Sequence, residues 1–296
     1  MGVVVSLDGK ILPPERAVVS VFDHGFLFGD SVYEVVRTRR GVPVTLDEHL
    51  ARLEGSARRI YLDLPWSREA LQERIREANA AGGNPESYFR IVVTRGTGEI
   101  SLLPDTCRAP TLIVIVKPLP VPAPSVAAEG IAVRLASRPR NDRRALDPSA
   151  KTGNYLNNLL ALVEARREGG DDAILLNPAG EVAEATTSNV FLVRGGRVAT
   201  PSLDSGILAG ITRDLLVREL PRTGLPVEEG TIPAAALREA DEVFLTSTVR
   251  GVAPVTRIDG RPVGDGRPGP VTRRIAALYE EALDRLADEA GASPRS

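Results

Sequence analysis

The spacing of apolar and polar positions divides the chain into strands and helices before any residue is read for chemistry. Near the start, "VVVSLDGKIL" alternates with period two around Asp8-Gly9 and predicts a hairpin. "SVYEVVRTRRGVPVTL" predicts a second strand pair that turns at Arg40-Gly41. "LDEHLARLEGSARRIYL" and "SREALQERIREANAAGG" change to the helical period, the second stopping on glycines as helices commonly do. "SYFRIVVTRG" and "APTLIVIVKPL" then read as strands.

Residues 117–130, "KPLPVPAPSVAAEG", carry four prolines and no apolar period, which suits a stiff, extended connector. With 296 residues the chain exceeds the usual single domain. An α/β (α+β) architecture is expected, with an N-terminal domain over 1–120, a Pro-rich linker over 121–129 and a C-terminal domain over 130–296. After the strand "GIAVRLAS", a helix is expected from Asn154 to about Glu168. Its Leu156, Leu159, Leu160 and Val163 recur at i, i+3, i+4 and i+7, and are expected to pack into the core. "DDAILLNPAGEVAEATTSNVFLVRGGRVATP" predicts a strand, a turn at Asn-Pro-Ala-Gly, a short strand and a hairpin over residues 194–196. The small, polar tail after about Leu286 is expected to fray.

Composition narrows the function. A net charge of −2 with acids and bases interspersed argues against a nucleic-acid partner. Lone Cys107 excludes an intrachain disulfide, and no Cys/His cluster has metal-ligand spacing, so no metal is expected. His24 and His49 are the only histidines and no GxSxG elbow accompanies them, which disfavours a serine hydrolase. "MGVVVSLDGK" lacks the features of a signal peptide, its Gly2/Ser6 match to the loose myristoylation pattern is taken as chance, and no apolar run approaches a membrane span. A cytoplasmic protein is the default expectation.

One residue type stands out. Of 37 Lys plus Arg residues, only Lys10, Lys117 and Lys151 are lysine. Lysine differs from arginine in having an amine that can lose its proton and condense with a carbonyl. Lys151 precedes a helix and is either a solvated loop residue or such an amine. Glu184 stands beside the small hydroxyl run Ala185 to Ser188 and then Asn189. Gly210, Ile211 and Thr212 open a helix, whose free N–H groups suit a phosphate. Ser247 and Thr248 end a strand. Each motif alone also reads as an ordinary turn or cap. Together they supply what pyridoxal 5′-phosphate needs: an amine, a carboxylate for a pyridine nitrogen, and phosphate donors.

The stretches "FDHGFLFGDSVYEVVR", "HLARL", "KTGNYLNNLL", "EATTSNVF" and "GILAGITR" resemble, in the same order, the signatures of class IV aminotransferases. This fold-type IV group includes branched-chain aminotransferases, D-amino acid aminotransferases and aminodeoxychorismate lyases. The resemblance implies a two-domain enzyme with its active site at the domain interface, completed by a loop of a second subunit, hence a homodimer at minimum. It implies that Lys151 binds the cofactor covalently and moves the substrate proton, that Glu184 pairs with the ring nitrogen, and that Arg52 grips the phosphate. Ile211, Thr212 and Thr248 would add phosphate donors, with Ser247, Ser188 and Asn189 also in the cofactor site. Tyr155 would hydrogen-bond the ring oxygen.

Substrate choice rests on fewer positions. D-amino acid aminotransferases usually carry Arg-x-His just after a "TRGT" strand, where this chain has Glu99, Ile100 and Ser101. "SYFRIVV" instead matches the branched-chain Tyr-x-Arg, giving Tyr88 and Arg90 as pocket residues beside Tyr33, with backbone at Thr248 and Val249 receiving the α-carboxylate. The expected reaction is transfer of an amino group from an L-branched-chain amino acid to 2-oxoglutarate. Arg250 departs from the small residues usual there. It would receive a second carboxylate, rebuild a D-type carboxylate trap, or point outward. A D-amino acid aminotransferase or a lyase remains the alternative.

Overall fold

The computed structural model describes residues 2–292. These form two compact units: one comprises the described residues up to 120 with 150–154 and those from 283 onward, the other residues 121–149 and 155–282.

In the first unit, β1 (Val4–Leu7), β2 (Lys10–Leu12), β3 (Ser31–Arg39), β4 (Val42–Pro43), β5 (Ser87–Thr94) and β6 (Thr111–Pro118) make one antiparallel sheet in the order β2-β1-β6-β5-β3-β4. Asp8 and Gly9 both adopt positive φ, the backbone of the tight turns whose twist suits a hairpin. Helices α1 (His24–Phe28), α2 (Leu46–Arg59) and α3 (Arg68–Gly82) complete the unit. Ser67 caps α3 by accepting from the Ala70 N–H, and Gly83 ends it in the left-handed region. One sheet face, with Val32, Val36, Phe89 and Ile91, packs against Leu50, Leu53, Leu71 and Ile75 of α2 and α3. Strand alternation sends Tyr33, Tyr88 and Arg90 to the opposite face.

Strand β4 pairs only with the far end of β3, at Thr38 and Arg39. The near end is paired instead by residues 151–153. The Tyr33 N–H donates to the Lys151 carbonyl at 3.0 Å and the Gly153 N–H to the Ser31 carbonyl at 2.8 Å, with Val32 opposite Thr152. A Cβ on Gly153 would collide with the Ser31 hydroxyl, so this approach needs glycine.

In the second unit, α4 (Pro124–Glu129), β7 (Ile131–Leu135), α5 (Leu156–Arg167), β8 (Asp172–Leu176), β9 (Val182–Ala185), β10 (Asn189–Arg194), β11 (Arg197–Pro201), α6 (Ile211–Glu219), β12 (Val227–Gly230), α7 (Ala236–Glu239), β13 (Glu242–Ser247), β14 (Gly251–Ile258) and β15 (Arg261–Pro262) follow in order. The sheet runs β12-β11-β10-β13-β14-β7-β8-β9, with β15 on β14. A further pairing of β9 with β10, Glu184 opposite Asn189, closes β10, β13, β14, β7, β8 and β9 into a ring. Val133, Ile174, Val190, Val243 and Leu245 fill its core.

Several expectations need correction. The segment 121–129 is not extended throughout, because Pro124 opens α4 in the first turn, where a missing N–H is harmless. The stripe on α5 is not core: Leu156 is 66% and Leu159 54% exposed, with Leu160 and Val163 also above a third. The helix buries its opposite face, where Ala161 and Ala165 pack against Ala173 and Leu175 of β8. Residues 150–154 join the first unit through the β3 pairing just described. The last helix, α8 (Pro270–Ala292), does not fray after Leu286. Ala287 is buried, Arg39 forks onto Asp284 at 2.9 and 3.0 Å, and Arg40 pairs with Asp288. The remainder of that tail lies outside the described residues.

Gly153→Ala is expected to cost about 1–3 kcal/mol by overpacking, measured by chemical denaturation. Ser31→Ala in the same chain should recover most of the loss, since it removes the hydroxyl that the new Cβ meets.

Candidate active site

Lys151 is held at both ends. Its N–H donates to the Ser56 hydroxyl of α2 at 3.0 Å and its carbonyl accepts from Tyr33. Its Nζ donates to the Tyr33 hydroxyl at 3.4 Å and lies 4.4 Å from the ring centre. The Arg90 guanidinium stands 4.0 Å from the same ring centre, and Lys117 Nζ 4.8 Å from that of Tyr88. Tyr33, Arg90 and Lys151, three of the expected residues, therefore form one group, and Tyr88 lies two residues before Arg90 on the same sheet face away from the core.

Arg52 is on α2, beneath the other face. It forks onto Glu34, Nε to Oε1 at 2.7 Å and Nη2 to Oε2 at 2.8 Å, and His49 Nδ1 meets Oε2 at 2.7 Å. Glu34 is fully buried. Burial works to raise its pKa, but the Arg52 charge and hydrogen bonds from Arg52 and His49 outweigh it and hold the carboxyl at about 2. Burial pushes His49 below its ordinary value, offset only in part by Glu34. Its neutral ring donates through Nδ1–H, and among the described residues Nε2 has no hydrogen-bond partner.

In the second unit, Glu184 accepts from Arg140 Nε at 2.9 Å and from the Leu208 N–H at 3.0 Å. Asn189 donates to the Leu208 carbonyl, and its Oδ1 lies where a Cβ on Gly210 would stand, so it shapes the entry into α6. That helix begins at Ile211 and Thr212 with Gly210 as N-cap and no side-chain cap, leaving its first N–H groups for an anion. Ser188 Oγ and Thr246 Oγ1 are buried without a hydrogen-bond partner among the described residues. Ser247 Oγ accepts from the Arg250 N–H, and Thr248 and Val249 form the half-buried turn between β13 and β14. Tyr155, half-buried, is the N-cap of α5. Arg250 does not point outward, since its Nη1 donates to Asp172 Oδ2 at 2.8 Å.

Sequence reading missed Glu34, His49, Arg140 and Asp172 as partners of these groups. Glu34 left a signal: it occupies a core-facing position between Val32 and Val36, where only a paired charge is tolerated. His49 lies three residues before Arg52, on the same helix face. Arg140, in an Arg-rich loop, left none.

Both pKa shifts in the Glu34 cluster are downward, so the folded state binds fewer protons and stability falls on acidification. The His49 contribution declines below its ordinary value of 6.5, and the Glu34 contribution is complete above 4.5 and lost toward about 2. Glu34 accounts for about 3 kcal/mol of that acid sensitivity. Glu34→Gln is expected to flatten the lower part of a stability-against-pH curve from denaturant titrations, and to destabilise at pH 7 by about 3–5 kcal/mol because the buried ion pair with Arg52 is lost.

The family described as amino-transferase class IV matches residues 31–258. The putative branched-chain-amino-acid aminotransferase of Methanocaldococcus jannaschii is 36% identical over 277 residues, covering 94% of this chain and 95% of that one. A D-alanine aminotransferase of Listeria monocytogenes is 33% identical over 300 residues, covering 96% and 98%. Among solved structures, the branched-chain amino acid aminotransferase of T.th. with pyridoxamine 5′-phosphate superposes with a TM-score of 0.92 at 31% identity, over 98% of this chain and 97% of that one. The Escherichia coli branched-chain enzyme gives 0.89 at 30%, over 96% and 95%. These matches bear out the expected fold-type IV, α+β class, and with the family signature spanning most of its length the chain belongs to the class IV aminotransferases.

Proposed function

We propose that the chain is a pyridoxal 5′-phosphate-dependent aminotransferase that passes the amino group of an L-branched-chain amino acid to 2-oxoglutarate in a ping-pong sequence. The observation that carries this reading is the Tyr33 ring, in contact with both Lys151 and Arg90. It joins the one candidate reactive amine to the Tyr88-x-Arg90 pair that marks the branched-chain type.

The residues fit the cofactor. Buried hydroxyls of Ser188 and Thr246 without a hydrogen-bond partner among the described residues, an uncapped helix start and a carboxylate backed by arginine suit its phosphate and ring nitrogen in kind. When bound, pyridoxal phosphate supplies an aldehyde that condenses with amines and a ring that accepts electrons. Arg52 and the N–H groups of Ile211 and Thr212 would hold its phosphate, with Ser247 and Thr248 adding donors. Glu184, fixed by Arg140 and the Leu208 N–H, would accept a hydrogen bond from the ring N–H. Tyr155 would donate to the ring oxygen. Lys151 Nζ would take the α-proton of the substrate and return it to the carbon two atoms away, across the imine nitrogen, with the Tyr33 hydroxyl orienting the amine. Thr248 and Val249 N–H groups would receive the α-carboxylate, and Tyr33, Tyr88 and Arg90 would bound the side-chain pocket. A homodimer in the cytoplasm is part of the same reading.

A D-amino acid aminotransferase is the second reading, favoured by the D-alanine aminotransferase relative. Against it stands the Glu99-Ile100-Ser101 stretch in place of Arg-x-His. The test is a half-reaction without acceptor: L-isoleucine, L-glutamate and D-alanine are mixed in turn with the cofactor-loaded protein, and the visible absorbance is followed. L-isoleucine is expected to bleach it and yield pyridoxamine phosphate. Bleaching by D-alanine alone would overturn the branched-chain reading; bleaching by none of the three, with pyruvate released instead from a substrate that carries an eliminable group and no pyridoxamine phosphate formed, would indicate a lyase.

A further inference from the structure

Asp172, the first residue of β8, is buried, with only 1% of its side chain exposed. Its two oxygens are used differently. Oδ1 accepts from the Thr186 hydroxyl at 2.5 Å, from the Thr186 N–H at 3.4 Å and from the Ala173 N–H at 2.8 Å. Oδ2 accepts from Arg250 Nη1 at 2.8 Å. Asn158 of α5 donates to the Thr186 carbonyl at 2.8 Å, so the turn beside Glu184 is held from two sides.

We propose that Asp172 is a positioning residue that ties the Thr248–Arg250 turn to the Thr186 turn through the Arg250 side chain, and that Arg250 consequently serves this turn and not a carboxylate of the substrate. The turn spans three residues between Ser247 and Gly251, which pair across β13 and β14. Its third residue is fixed twice, by the backbone N–H on Ser247 Oγ and by the side chain on Asp172. That leaves Thr248 and Val249 with their backbone direction set from both ends. Moving Arg250 to a substrate carboxylate would strand Asp172 as a buried carboxylate without its cation, so the exchange is unfavourable. Arg250 therefore does not make the site selective for dicarboxylic acids, and it does not rebuild a D-type trap.

This inference rests on the aminotransferase reading for its substrates, and the experiment separates the two. Arg250→Met, Asp172→Asn, their combination and Arg250→Lys are prepared in the full chain. Each is assayed for pyridoxal phosphate retention on dialysis and for KM and kcat with L-leucine and L-glutamate. Either single change is expected to raise both KM values together by about tenfold with less effect on kcat, and the double variant to be no worse than the worse single. Arg250→Lys, which keeps a cation within reach of Asp172, should recover part of the loss. An increase in KM for L-glutamate alone with Arg250→Met, while Asp172→Asn leaves both values unchanged, would overturn the proposal. If no amino acid turns over, the proposed function fails, and retention of the cofactor then decides the tie: losses that do not add uphold it, and additive losses refute it.

Discussion

A carboxylate withdrawn from water is stable only when a cation and hydrogen bonds replace the hydration it has lost. Glu34, Glu184 and Asp172 are all in that position, and each is met by one arginine: Arg52, Arg140 and Arg250. Each pair joins segments far apart in the chain. Arg52 brings α2 over β3, Arg140 fixes the loop after β7 to β9, and Arg250 fixes the turn after β13 to β8. Several of the groups proposed to act on cofactor and substrate, namely Tyr33, Arg52, Glu184, Thr248 and Val249, sit on or next to these pairs. Their placement thus follows from the need to neutralise buried charge as much as from apolar packing.

Strand β3 shows how little sequence is needed to organise two environments. Tyr33 and Glu34 are neighbours, and the alternation of the strand sends them to opposite faces. Glu34 goes under α2, where His49 and Arg52 await it one helical turn apart. Tyr33 goes to the other face, where its ring meets Arg90 and Lys151. The same strand end also pairs with residues 151–153 through main-chain hydrogen bonds. A shift of register by one residue would exchange the two faces and dismantle both groups at once.

Local signals carried most of the secondary structure, because turn chemistry and period are written in adjacent residues: Asp8-Gly9, Arg40-Gly41, the glycines that end α3, and the glycine and threonine at the start of α6. The partners of the charged groups were not legible, because pairing between Arg140 and Glu184, or between Asp172 and Arg250, depends on which strands become neighbours. The α5 stripe failed for a related reason. Period reports that a helix has an apolar face, but not which face is covered. Here small residues, Ala161 and Ala165, allow the close approach to β8, while the leucines remain outward. Lysine usage is a signal of a different kind, since it concerns chemistry and not contact.

The backbone of Lys151 is bound through its N–H and carbonyl, and the close approach beside it is set by Gly153, so the pairing with β3 does not depend on the side chain at 151. The side-chain contact with the Tyr33 ring is one that a guanidinium makes at least as well as an amine, as Arg90 does on the same ring. Arginine, which this chain uses at almost every other cationic position, would satisfy each of these contacts. What it could not do is lose a proton and attack a carbonyl. The architecture around residue 151 thus explains why the position is rigid, and the reactive role proposed for the amine would account for its being lysine.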